Sequence, residues 1–141
     1  MYDARYLRWV LEMNGENYFE AHEFLENLWM EEEGDIRPYW QGLIQVAVAL
    51  HHLGHANPVG GVKVWRTARA HLSPFPARCE GLDLAGLREV MDRNLAPYDA
   101  IPFEELRARN VDWSGVLRPN IALDPAPEPA EWDSARAFEI R

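Results

Sequence analysis

The segment from Pro38 to Leu53 constrains the fold most. Leu43, Ile44, Val46, Ala47, Val48, Ala49 and Leu50 cover nearly the whole circumference of a helix. A helix that is apolar all round needs neighbours on every side, so it belongs at the centre of a bundle. Its apolar run from Gly42 to Leu50 is broken by Gln45 and is far shorter than the ~20 residues a membrane span requires.

The rest of the chain supplies helices to wrap it. A first helix is expected from about Asp3 to Met13, with Asp3 as N-cap and Asn14-Gly15 as its stop. A second starts at Asn17, where Asn17 and Glu20 have the spacing of a capping box, and runs to about Glu31. In the central helix Pro38 suits the first turn. Asn57 caps a fourth helix with Pro58 at its first position, and Gly60 and Gly61 permit close backbone approach there. Asp83 caps a fifth, which carries Leu84, Leu87, Met91 and Leu95 on one stripe. The fold class is therefore all-α: a compact bundle of about five helices with an extended Pro/Ala-rich C-terminal tail. The bundle domain is expected over residues 1–96. Residues 97–141 are expected to form a short helix, near Pro102 to Arg109, and an irregular tail packing on the bundle. Lying outside the helical pattern, the tail beyond Val111 is expected to be dispensable for folding.

With 141 residues, 48% of them apolar, the chain can bury a core. Its formal net charge of −9 excludes a general nucleic-acid binder and disfavours an anionic membrane surface, although Arg66, Arg69, Arg78, Arg88 and Arg93 lie close together in sequence. Cys79 is the single cysteine, so no intrachain disulfide can form, and no basic-then-apolar leader opens the chain. Both point to a cytoplasmic protein. A homo-oligomer is compatible with this composition, and no protein partner can be read from it.

Two helices carry polar groups where apolar ones belong. Tyr18, His22, Leu25 and Trp29 share one stripe of the second helix, and Glu26 lies one turn beyond His22. On the central helix Gln41, Gln45 and His52 fall on one face. Packing one set against the other would form a buried cluster of His22, Glu26, Gln41, Gln45 and His52.

The segment Tyr18 to Trp29, followed by Gln41 to Ala47, resembles the bacterial and archaeal family called domain of unknown function 309. Its hallmark is a His, three residues, a Glu, two residues, then Trp or Tyr, matched by His22, Glu26 and Trp29. Asn57 and Gly60 also fit. The resemblance covers roughly Leu7 to Leu87. It implies a small helical bundle, with a suggested metal-binding role for the motif.

Two functional readings follow. In the first, His22, Glu26 and His52 hold a divalent transition metal, with an open position for water or substrate. Gln41, Gln45, Trp29, Tyr18 and Asn57 line the pocket or stand behind the ligands. Whether such a site would be catalytic stays open. In the second, the module is non-catalytic and serves structure or protein interaction. Its polar cluster then fixes helix packing, or a small organic ligand sits among Tyr18, Trp29, Trp40 and Trp65. Elemental analysis of the purified protein separates metal from no metal. His51 falls on a different wheel face from His52, and Cys79 reads as structural.

Overall fold

The computed structural model describes residues 1–140. Four long helices carry the core: α1 (Ala4–Asn14), α2 (Tyr18–Glu31), α3 (Arg37–Gly54) and α4 (Pro58–Leu72). A hairpin follows, β1 (Arg78–Cys79) and β2 (Leu82–Asp83), with Arg78 opposite Asp83 and Cys79 opposite Leu82. Then come α5 (Leu84–Asp99), α6 (Phe103–Leu106), a 3-10 turn at Trp113–Gly115, and α7 (Pro129–Ala137). Among the described residues there are seven α-helices rather than about five. The short α6 and the late α7 make the difference.

The central position of the Pro38–Leu53 segment is realised. Helix α3 packs between α2 and α4, and buries Tyr39, Trp40, Leu43, Val46, Ala47, Ala49, Leu50 and Leu53. Gly42 lies where α3 meets α4. A Cβ built there would stand 2.5 Å from Leu72 Cγ and Cδ2. No α-helix among the described residues is long and apolar enough to cross a membrane.

Caps match the sequence signals at three helices. Asp3 accepts from Arg5 N, Asn57 from Gly60 N, and Asp83 from Gly86 N. At α2 the expected capping box is absent. Glu16 adopts a left-handed φ of 61°, Asn17 N–H is taken by Glu12 O, and the Asn17 side chain makes no cap bond. The tight α1–α2 turn uses the residue that would otherwise cap. The hairpin turn, by contrast, needs left-handed residues in succession, and Glu80 (φ 50°) with Gly81 (φ 76°) supplies them. Tyr6 and Tyr39 donate their hydroxyls to Glu80 O and Cys79 O, which holds the hairpin on the bundle.

The C-terminal region is more ordered than its composition implies. Pro129 sits in the first turn of α7, and Glu128 and Glu131 form a reciprocal capping box. Helix α7 packs on α1. Arg8 of α1 donates to the carbonyls of Ala135, Arg136 and Phe138, a cation at the C-terminal end of α7 where the helix dipole favours one. Val116, Ile121, Leu123 and Ala135 are buried in the same core as α1–α5. Asn94, itself buried, both donates to and accepts from the backbone of Leu117, at 2.8 and 2.7 Å. These contacts weigh against the expectation that residues beyond Val111 are dispensable, which truncation after Asn110 tests.

Candidate functional site

One stripe of α3 reaches solvent: Gln41, Ile44, Gln45, Val48, His51 and His52 are each only partly buried. Their spacings of three and four keep them on one helix face. The polar seam is thus the half-exposed line of α3 between its two neighbours, not a seam sealed from solvent. Its residues divide between those neighbours. Gln45 Oε1 meets His71 Nδ1 of α4 at 2.8 Å, and His52 Nδ1 meets the Asn57 side-chain nitrogen at 3.2 Å. His51 instead faces α2, with its ring centroid 5.5 Å from that of Phe19. Gln41 lies on the stripe, partly exposed.

The sequence-derived site residues therefore do not meet as one buried group. His22 Nε2 stands 3.8 Å from Glu26 Oε2, but the Glu26 side chain is 51% exposed. His22 Nδ1 bonds the Phe19 carbonyl. Trp29 carries the Arg37 guanidinium 4.0 Å over its ring. Asn57 serves α4 as its cap. Among the described residues no group of three or more His, Cys, Asp or Glu is placed to hold a metal ion. The metal site expected at His22, Glu26 and His52 is thus unsupported. The physical reason is rotational: His51, not His52, points from α3 toward α2, so a wheel built on His52 sends the seam to the wrong neighbour.

What the helices do enclose is a cleft of about 510 Å³ where the start of α2 meets the end of α3. Tyr18, Phe19, His51, His55 and Trp113 wall it, and Glu16 and Glu20 stand in the same lining. Tyr18 and Trp113 meet edge to face at 6.2 Å. His51 and His55 rings lie 4.1 Å apart, as i,i+4 neighbours do on one helix face. Phe19 is 51% exposed, unusual for a large aromatic side chain. Tyr18 is only 5% exposed, and its hydroxyl is buried without a hydrogen-bond partner among the described residues. Leaving such a group unsatisfied costs about 1–3 kcal/mol. Burial pushes the Tyr18 hydroxyl pKa up to about 12, helped by the Glu16 carboxylate and opposed by Arg118. Arg118 pairs with Glu16 at 3.2 Å and lies 4.4 Å over the Trp113 ring.

Residues 6–64 match the profile of a family described as Domain of unknown function (DUF309). Over these residues the chain is similar to the DUF309 family. The match takes in α1, α2, α3 and the first part of α4, hence Tyr18, Phe19, His51 and His55 of the cleft. Trp113 and His71 lie beyond it. Bacillus subtilis (strain 168) has a relative named Uncharacterized protein YpuF, 36% identical over 95 residues, which are 64% of this chain and 55% of the relative. An Uncharacterized protein of Aquifex aeolicus (strain VF5) is 30% identical over 83 residues, 58% of this chain and 25% of the relative. The chain thus spans about half the length of the first relative and a quarter of the second.

Sequence reasoning missed His51, His55, Phe19 and Trp113. The i,i+4 spacing of His51 and His55 was visible. Trp113 was not attributable, because it reaches the cleft from a turn 58 positions after His55. All five histidines, His22, His51, His52, His55 and His71, border the α3 stripe or its end.

A pH dependence follows. Burial, and then the neighbouring imidazoles, hold His51 and His52 below the ordinary histidine pKa; for His51 the neighbours are His55, His52 and His22, with Glu20 opposing. Below the ordinary value of about 6.5 the unfolded chain therefore takes up protons that the folded one resists. Stability is fully present above that value and falls with pH toward the lower folded pKa values. We expect the melting temperature to drop by on the order of a few degrees between about pH 7.5 and 5.5. The variant carrying His51→Gln and His52→Gln should lose that slope. An equal slope in the variant would assign it to other groups.

Proposed function

We propose that this domain is a small-ligand-binding module that works through the cleft between the start of α2 and the end of α3. The observation that carries this reading is the Tyr18 hydroxyl. It is a buried polar group without a partner among the described residues, on a side chain that lines a cleft together with aromatic rings, imidazoles and the carboxylates of Glu16 and Glu20. Binding pockets combine apolar surface with polar groups that orient the ligand, and this cleft offers both. The polar pairs on the other side of α3, Gln45 with His71 and His52 with Asn57, have a structural part in this reading. They tie α3 to α4 in one register. Neither relative's name assigns a ligand, so the reading rests on this chain's own geometry.

Mapping amide chemical shifts during titration with indole and benzamide tests it. Saturable shifts should cluster at residues 16–20, 50–55 and 113. Trp113→Ala should weaken binding roughly tenfold or more, the scale of losing one aromatic wall, while Trp132→Ala leaves it unchanged. Shifts scattered over the surface, or insensitive to Trp113→Ala, would sink the reading.

A further inference from the structure

We infer that the α2–α3 cleft takes a small organic cation, an ammonium group carried on an aromatic or short apolar body. This rests on the reading of the cleft as a binding site and names the ligand class.

Three observations carry it. The first is charge. Glu16 and Glu20 are in the lining, and none of the lining residues is lysine or arginine. Arg118 neutralises Glu16 from outside the lining, whereas Glu20 makes no ion pair among the described residues. The net charge of −9 adds a field that draws cations and repels anions. The second is the rings. Tyr18, Phe19 and Trp113 offer π surfaces to the cleft, and a cation is attracted to such faces by their quadrupole. The protein already uses this chemistry beside the cleft, where the Arg118 guanidinium lies 4.4 Å over Trp113 while paired with Glu16. The third is the Tyr18 hydroxyl, buried and with neither a donor nor an acceptor partner among the described residues. An ammonium N–H supplies a donor that a hydrocarbon cannot. Burial and the neighbouring imidazoles hold the His51 pKa below the ordinary histidine value, which disfavours a competing positive charge there.

One feature would favour an anion instead: the N-terminal end of α2, where Asn17 makes no side-chain cap. Glu20 in the first turn already places a negative charge there. An incoming anion would meet that carboxylate and the electron-rich ring faces.

The test titrates the full chain with benzylamine, benzyltrimethylammonium, benzyl alcohol and benzoate, read by amide shifts at neutral pH. Benzylamine should saturate the resonances of residues 16–20, 51–55 and 113. It should bind at least about tenfold more tightly than benzyl alcohol, with benzoate weaker still. Tyr18→Phe keeps the ring and removes the oxygen. It should weaken benzylamine by roughly tenfold and leave benzyltrimethylammonium, which has no N–H, unchanged. Glu20→Gln should weaken both cations several-fold and spare benzyl alcohol. Melting temperatures at or above that of the unsubstituted protein confirm that both variants fold; removing the unpartnered hydroxyl in Tyr18→Phe should raise it. Equal binding of benzyl alcohol and benzylamine at the same residues would overturn the cation assignment and leave the binding reading standing. Tightest binding of benzoate would do the same. If no compound shifts the cleft resonances, the cation assignment falls, and the small-ligand reading falls with it.

Discussion

Truncation after Asn110 is expected to cost the protein most of its stability. The removed segment takes Val116, Ile121 and Leu123 out of the core. Full burial of such a side chain contributes about 1.5–3 kcal/mol. It also strips Asn94 of both bonds to Leu117, leaving a buried amide unsatisfied at about 1–3 kcal/mol. Helix α7 leaves with it, and Arg8 loses three carbonyl partners. Against this stands the conformational entropy regained by the missing residues, which offsets part of the loss. Domain stabilities are commonly only about 5–15 kcal/mol. The truncated chain should therefore keep some helical circular dichroism but melt far lower and less cooperatively, with exposed apolar surface binding ANS. A melt as cooperative as the full chain's, within a degree or two, would show that residues 1–110 form the folding unit alone.

Replacing Gly42 by alanine should also destabilise, although alanine is the better helix former. Propensity favours the substitution by about 1 kcal/mol. Sterics oppose it: the new methyl would stand 2.5 Å from Leu72 Cγ and Cδ2, and Leu72 is fully buried. Overpacking of a filled core costs about 1–3 kcal/mol, sometimes more. Both atoms in conflict belong to a packed side chain, so relief requires α3 and α4 to separate or Leu72 to leave its rotamer. The steric cost should win, lowering the melting temperature by several degrees. The pair Gly42→Ala with Leu72→Ala should recover less than additive damage, because the second change removes the clash that the first creates. A melting temperature for Gly42→Ala at or above that of the unsubstituted protein would mean the two helices are not in this close contact.

Neither the packing of the tail nor the close contact at Gly42 was read from the sequence, for different reasons. Glycine inside an otherwise apolar helix is an isolated local oddity, and its packing partner comes from a helix that is itself evident in the sequence. The tail was opaque because its proline and alanine content resembles that of an unstructured linker. What orders α7 is not propensity but Arg8 and the face of α1, both far away along the chain.

The same distinction runs through the candidate site. Local chemistry was legible: Asp3, Asn57 and Asp83 cap the helices expected of them, and the stripe of Leu84, Leu87, Met91 and Leu95 is buried. The central place of α3 followed from its apolar circumference. A helical wheel, however, reports angles within one helix and says nothing about where the neighbours stand around it. His51 and His52 are adjacent in sequence and about 100° apart on the helix. Choosing between them required knowing that α2 lies on the His51 side and α4 on the His52 side. Short-range hydrogen bonding and amphipathic burial, which act over three or four residues, were determined by the sequence alone. The rotation of α3 between α2 and α4, and the delivery of Trp113 to the cleft, were decided only by tertiary packing. Those depend on the summed fit of side chains from distant segments, and no local pattern encodes that sum.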